Sequence, residues 1–425
     1  MEESSAFASV LLAAREGQLE ARDGALCHEL VLGVLRRRLW LDHLITHYSG
    51  RDAERLDLAV RIALRLGLYQ LRFLSRIPAS AAVNESVKLV RVARVRSADT
   101  LVNAVLRRAT REPEFDPVSD IEEALDRIAV ETSHPRWLIE RWANAFGRDE
   151  AAALAQANNQ TPTTSFRVIN TRASETEIIQ RIRDAGGKVA PSPVSPKAWR
   201  AAGSFGVVQR LALEGLIYLQ DEASQLVSHL LEAQPGESIL DACAAPGSKS
   251  THLADLTNGQ TFIVSGDLHL HRLQTLNRLA AAQRLTSIHS VKLDATGALP
   301  FREGVFDRVL VDAPCSGTGT LQHNPEIRWR ISPRDLVDLP ARQLSILGNA
   351  AHSVKRGGRL IYSTCSLELD ENEEVIERFL AQTSEFKPIR LPANPALQSD
   401  AGMVRIWPHK HGADGFFVAG FERQF

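Results

Sequence analysis

The sequence predicts a multidomain protein: an all-α N-terminal module over residues 1–130, a small α/β connector over 131–220, and a doubly wound α/β domain over 221–425. Three observations carry this. Apolar residues recur at three and four places through the first third of the chain. Strand-like and helical stretches mix in the middle. From about Asp221 onward, short apolar runs alternate with helical stretches.

The helical periodicity runs over Ala6 to Ala14, Leu30 to Leu44, Leu58 to Leu74 and Leu101 to Leu106. Pro78 and Ser80 break it between two helices, and Glu112-Pro-Glu-Phe-Asp-Pro117 reads as a linker. In the connector, His134-Pro-Arg-Trp137 opens a helical stretch and Thr164 to Asn170 is strand-like. Ile178 to Ala185 is helical, and Gly203 to Gln209 and Ile217 to Gln220 read as short strands. The C-terminal strands are Ser238–Ala242, Thr261–Gly266, Ile288–Leu293, Arg308–Val311 and Arg359–Ser363, with helices between them. The end of the chain, Val404 to Pro408 and then Gly415 to Phe421, suits a strand pair closing the sheet, one member antiparallel.

Apolar residues make up 44% of the 425, which supports a sizeable core and argues against global disorder. The formal net charge is −1, so a nucleic-acid partner has to be argued from local patches. Two patches exist in the helical module: Arg36-Arg37-Arg38, and a run through Lys88, Arg91, Arg94, Arg96, Arg107, Arg108 and Arg111. Each alone reads as a solvated helix face; two on one module favour an RNA backbone. The four cysteines lack metal or disulfide spacing, so no metal is expected and a reducing, cytoplasmic setting fits. The acidic start Met1-Glu-Glu-Ser-Ser5 lacks the basic opening of a signal peptide, and no apolar run is long enough to span a membrane.

Chemistry concentrates where strands end. The first C-terminal strand runs into Asp241-Ala-Cys-Ala-Ala-Pro-Gly-Ser-Lys249, a small-residue turn that lets backbone approach a ligand. The next two strands end in Asp267 and Asp294. In such sheets an acid at the second strand end meets ribose hydroxyls. Three strand-end acids without GxGxxG favour S-adenosylmethionine over a dinucleotide. Two further strands end in thiols, Asp312-Ala-Pro-Cys315 and Ser363-Thr-Cys365. The usual strand order makes these loops neighbours beside the cofactor loop. The reaction that needs this layout is methylation at C5 of a pyrimidine. A thiolate added to C6 makes C5 nucleophilic, a carboxyl group engages N3, and a second thiol assists release. The alternative reading is that these cysteines are buried as small hydrophobes. For Cys243 and Cys27 that structural reading is favoured. His269 and His271 read as helix-surface residues.

The motifs identify a family. Asp241-to-Lys249, Asp312-Ala-Pro-Cys-Ser-Gly-Thr-Gly319 with His323-Asn-Pro-Glu-Ile-Arg-Trp329, Thr364-Cys-Ser366 and Asp414-Gly-Phe-Phe417 resemble the RNA 5-methylcytosine methyltransferases. Upstream, Gly67-Leu-Tyr-Gln-Leu71, Arg76-Ile-Pro78, Asn103-Ala-Val-Leu-Arg107 and Ala157-Asn-Asn-Gln160 are similar to that family's small-subunit ribosomal RNA branch, called RsmB, Fmu or Sun. The resemblance covers nearly the whole chain. It implies a NusB-like helical module, a Rossmann-like class I methyltransferase domain, S-adenosylmethionine as cofactor and 16S ribosomal RNA as substrate.

By the same resemblance, Cys365 attacks C6, Cys315 assists product release, and Asp312 contacts the cytosine N3 and exocyclic amine as well as the cofactor. Cys243, Ala244, Ala245, Pro246, Gly247, Ser248 and Lys249 line the methionine part of the cofactor, Asp267 holds the ribose and Asp294 the adenine. Lys249 also reaches toward the base. The basic helices would grip phosphate, or the module would engage a protein partner. One departure stands out: Ser248 replaces the second glycine of the family's Pro-Gly-Gly-Lys. If that position needs φ > 0, serine costs about 1 kcal/mol. A DNA cytosine methyltransferase is disfavoured by the Thr-Cys-Ser loop and the helical module. A noncatalytic RNA-binding assembly factor is disfavoured by the intact Cys315, Cys365 and Asp312.

Overall fold

The structure, a computed structural model, describes residues 8–16, 18–399 and 401–424. The acidic start Met1–Ser5 lies outside them. The chain forms two compact units. One holds the residues up to Gln160 together with Leu321–Arg330; the other holds Thr161–Thr320 and the chain from Ile331 onward.

The first unit is built of helices, with no strand among its described residues. Leu58–Phe73 shows why. Asp57 accepts a hydrogen bond from Ala59 N–H at its start, and Val60, Ala63, Leu64, Gly67 and Leu68 put one apolar stripe into the core. Val83 and Val90 of Ala79–Val92 and Val102, Val105 and Leu106 of Asp99–Arg111 complete that core. The stretch Leu30 to Leu44 is two helices, Ala21–Arg36 and Arg38–Ser49, because Arg37 leaves helical geometry at φ −112.

The second unit holds two sheets. The smaller one orders β2 (Lys188–Pro191), β3 (Ala198–Ala202), β1 (Thr164–Val168) and β4 (Ile217–Leu219), all antiparallel. One sequence expectation fails here. Gly203 to Gln209 is no strand: Phe205–Leu213 is a helix that buries Val208 and Leu211 against the small sheet. Its β-branched valines suggested a strand, but three-residue spacing of the buried pair decided the outcome. The strands β2 and β3 carry too little apolar alternation to be read in advance.

The larger sheet is made from β5 (Ser238–Asp241), β6 (Phe262–Asp267), β7 (Ile288–Lys292), β8 (Phe306–Asp312), β9 (Val354–Thr364), β10 (Phe386–Ile389), β11 (Val404–Ile406) and β12 (Phe416–Arg423). Its order is β10-β12-β9-β8-β5-β6-β7, with β11 also on β12. Strands β5 to β9 pair in parallel and β12 lies antiparallel on β9. Helices follow β5, β6 and β8, whereas the β7-to-β8 connection is irregular. Leu240, Val309, Val311, Leu360 and Tyr362 are buried at its centre. Arg167 of β1 ties the small sheet in place. It is fully buried and donates to Gln220 Oε1, Thr251 Oγ1 and Gln283 Oε1 at 3.2, 3.0 and 3.4 Å.

His229 and His252 meet edge-on with ring centroids 5.0 Å apart. Burial first, then the Lys197 charge, pushes the His229 imidazole down to about 4, and burial lowers His252 as well. Both fold neutral, whereas the unfolded chain takes up protons below about pH 6.5. The unfolded state then binds more protons, so stability is lost as pH falls from about 6.5 toward 4. Urea midpoints measured across that window should decline, and His229→Gln should flatten the slope; an equally steep slope in the variant contradicts this assignment.

Candidate active site

The ends of β5, β8 and β9 converge because β8 lies between the other two. Asp241 closes β5. Its carboxyl is buried and accepts from Ser250 Oγ at 2.7 Å. Burial lifts it to about 7, with the Ser250 hydrogen bond opposing and the Asp312 charge adding. The turn that follows reverses at Gly247, with φ at 111; a Cβ there would sit 2.7 Å from Leu276 Cγ. Helix Ser248–Leu256 begins directly after it.

Ser248 is not among the residues with positive φ. The left-handed position belongs to Gly247, so the conformational penalty considered for serine does not arise. Ser248→Gly should therefore change affinity for the S-adenosylmethionine expected at this loop by less than about tenfold, the equivalent of roughly 1.4 kcal/mol. Calorimetric titration checks this, and a larger change would mean that the serine side chain itself matters.

Asp312 ends β8 opposite Ser363 of β9. Ser363 Oγ donates to Asp312 Oδ1 at 2.7 Å, and Lys249 Nζ donates to Asp312 Oδ2 at 2.6 Å. Lys249 is 6% exposed. Burial works against its charge, but the Asp312 carboxylate, followed by Cys365 and Asp241, outweighs burial and raises its pKa. Its ammonium also lies 5.3 Å from the Phe416 ring centroid, which brings the Asp414-to-Phe417 motif into the site.

The Cys315 and Cys365 sulfurs are 3.4 Å apart. Both residues are half-buried. The hydrogen bond to Cys365, then burial, then the Cys365 and Glu371 charges push the Cys315 thiol well above its ordinary value. Gly319 N–H donates to Cys365 O at 2.9 Å, and Leu367 N–H donates to Thr318 Oγ1 at 3.0 Å, so the two thiol loops are stitched together. Gly319 also passes against Gly415, where a Cβ would fall 2.1 Å from the Gly415 carbonyl oxygen. That close approach explains two of the motif glycines.

Cys243 differs. It packs against the hydrophobic core beside β5, and burial followed by the Asp241, Asp312 and Asp267 charges raises its thiol pKa. Asp267 is buried at the end of β6, where its Oδ1 accepts from His269 N–H at 2.8 Å and its Oδ2 faces Arg272 at 3.1 Å. Asp294 is exposed; hydrogen bonds from Thr296 lower its pKa. With Leu268, Arg342 and Ser345 it lines a cavity of about 300 Å³. Cys27, in the helical unit, packs among apolar neighbours.

The His323-to-Trp329 motif lies instead in the helical unit. Arg328 is fully buried and donates to Ser133 O at 3.2 Å and Asn159 Oδ1 at 2.9 Å; Trp329 Nε1 donates to Leu35 O at 2.9 Å. Burial, then the Arg36 and Arg37 charges, lowers Arg328 to about 9. Three motifs far apart in sequence thus meet at one guanidinium. Arg36 is also buried, donating to Gln322 O at 2.8 Å, so it is no part of a free basic face. The second basic run does lie outside: Lys88, Arg91, Arg94, Arg96, Arg107 and Arg111 are exposed. Lys88 and Arg91 border an open groove of about 740 Å³ with Asn84 and Asn103.

Sequence reasoning missed Glu371, whose carboxylate lies behind both thiol loops. The only local sign was its place in Glu371-Asn-Glu373, six residues past Cys365.

Comparison with known proteins gives three family matches: 16S rRNA methyltransferase RsmB/F over residues 228–422, the NusB family over 1–111, and the RsmF/B-like ferredoxin-like domain over 134–207. The chain is 34% identical to the probable ribosomal RNA small subunit methyltransferase B of Bacillus subtilis, over all of this chain and 96% of that one. It is 37% identical to the protein of the same description from Synechocystis, over 95% of this chain and 92% of that one. Among solved structures, "Crystal Structure of PH0851" superposes with a TM-score of 0.83 at 29% identity, covering 95% of this chain and 91% of that one. NSun6 from Pyrococcus horikoshii with SFG shares the fold at a TM-score of 0.62 and 20% identity, over 68% of this chain and 98% of that one. Among the described residues no helix is long and apolar enough to cross a membrane.

Proposed function

We propose a specific reaction for this chain, which belongs to the 16S rRNA methyltransferase RsmB/F family: methylation at C5 of one cytosine in small-subunit ribosomal RNA, through a covalent adduct between Cys365 and C6. The observation that carries this reading is the pair of sulfurs 3.4 Å apart beside a carboxylate clamped by a lysine and a serine. One thiol to add at C6, one acid to engage N3 and a second thiol to assist release suit methylation at an unactivated pyrimidine carbon.

The strand-end loops suit S-adenosylmethionine. Gly247 lets the turn pack closely against Leu276, and Asp267 and Asp294 stand at successive strand ends, the second at the rim of a cavity. On this reading Cys243 to Lys249 hold the methionine part, Asp267 the ribose and Asp294 the adenine, with Asp312 shared between cofactor and base. The bound cofactor supplies an electrophilic methyl group.

The chain's own residues do the rest. Cys365 adds to C6 as the thiolate. Asp312 contacts N3 and the exocyclic amine, and Lys249 fixes the orientation of that carboxylate. Cys315 then assists removal of the C5 proton and expulsion of the Cys365 sulfur. The target must be unstacked for either ring face to be reached. The exposed Lys88-to-Arg111 face of the NusB-like domain supports phosphate contacts that set position rather than choice of base.

Bisulfite mapping of small-subunit ribosomal RNA from cells with and without this protein tests the reading. One cytosine should resist deamination only when the protein is present. Identical maps would overturn it.

A further inference from the structure

We infer that Glu371 is the positioning residue that holds the Cys315 and Cys365 sulfurs at their working separation. The inference rests on the reaction proposed above and adds a residue to it.

Glu371 lies in the short turn Leu369–Glu371 after β9, and its side chain is completely buried. Its Oε1 accepts from Ser316 N–H at 2.8 Å and from Gln343 Nε2 at 2.9 Å. Its Oε2 accepts from the hydroxyls of Ser316 and Ser366. Ser316 directly follows Cys315, and Ser366 directly follows Cys365. Gln343 Nε2 also donates to Pro314 O at 3.0 Å, on the other side of Cys315. One carboxylate therefore grips both thiol loops, and one of them from both flanks.

The turn reinforces the grip. Asn372 Nδ2 donates to Ser366 O at 3.0 Å, Thr364 Oγ1 donates to Asn372 Oδ1 at 2.5 Å, and Tyr362 O–H donates to Glu371 O at 2.6 Å. These bonds hold the strand and loop on either side of Cys365. The four donors to the Glu371 carboxylate are all uncharged. A fully buried carboxylate held only by neutral groups is costly to desolvate. A fold could fill this space with an apolar side chain at less cost, but an apolar side chain could not fix two loops in a set register. The proposed reaction needs that register, because its two thiols act in turn at adjacent atoms of one ring. A displacement of about 1 Å costs on the order of a hundredfold in rate.

The test uses the full-length protein with S-adenosylmethionine and small-subunit ribosomal RNA carrying 5-fluorocytidine. Fluorine at C5 cannot leave as a proton does, so the adduct persists after one turnover. Wild type, Glu371→Ala and Glu371→Gln are compared for adduct amplitude and formation rate. Amplitude counts folded, competent molecules; rate reads the placement of the Cys365 sulfur, which acts before Cys315 does. Glu371→Ala should keep the wild-type amplitude and the affinity for S-adenosylmethionine while its rate falls roughly a hundredfold. Glu371→Gln should recover about ten- to thirtyfold of that, leaving it about three- to tenfold below wild type. Its carbonyl still accepts from Ser316 N–H and Gln343, and the serine hydroxyls can turn to accept from its amide.

A rate for Glu371→Ala within about threefold of wild type overturns the inference, and so does a loss confined to amplitude. If the alanine variant does not fold, Glu371→Gln carries the test: full amplitude with a rate about three- to tenfold below wild type supports the inference, and an unchanged rate overturns it. Failure of the wild type itself to form an adduct would instead remove the reaction on which the inference rests.

Discussion

Cys365→Ala should abolish methyl transfer, lowering single-turnover incorporation of labelled methyl by at least about four orders of magnitude. Cytosine C5 is too weak a nucleophile to attack a methyl group unaided. The addition of sulfur at C6 makes it one, and no neighbouring group replaces that bond. Cys315, with its sulfur 3.4 Å away, is held protonated by its hydrogen bond to Cys365 and by burial. Affinity for S-adenosylmethionine should stay within about threefold of wild type, because the cofactor loop belongs to β5 and not to β9. Filter-binding assays with labelled cofactor check both numbers. A variant retaining more than about one percent of the wild-type rate would contradict the role given to this sulfur.

Cys315→Ala should have the opposite signature: an RNA–protein adduct that survives denaturing electrophoresis, with turnover reduced about a hundredfold or more. In the proposed reaction, methyl transfer itself does not use this thiol. Release does, because the C5 proton must leave before the Cys365 sulfur can be expelled. If Cys315→Ala turned over normally with no accumulated adduct, product release would have to use another group.

Much of the site was legible because strand chemistry is local. The apolar run Arg308–Val311 followed by Asp312-Ala-Pro-Cys315 marks a strand end, and so does Arg359–Ser363 before Cys365. Placing β8 between β5 and β9 follows from the usual order of parallel sheets, and the structure has that order. The closing strand pair near the end of the chain was legible for the same reason. Its antiparallel member, β12, runs beside β9.

What could not be read depends on contacts between residues far apart in sequence. Glu371 gains its meaning from Ser316, 55 residues away. Arg328 stands in a stretch that looks like catalytic-domain sequence, yet its guanidinium partners are Ser133 and Asn159 of the helical unit. Arg36 looked like one third of a basic cluster, and only packing shows that its charge is buried. The edge strands β2 and β10 are short and carry Pro191 and Pro388, which is where proline is tolerated in a sheet and also where sequence patterns for strands are weakest.

The most direct measurement is to digest the adduct formed with 5-fluorocytidine RNA and locate the modified base by mass spectrometry. The account requires it on the peptide carrying Cys365. A nucleotide attached at Cys315 or Cys243 would contradict it.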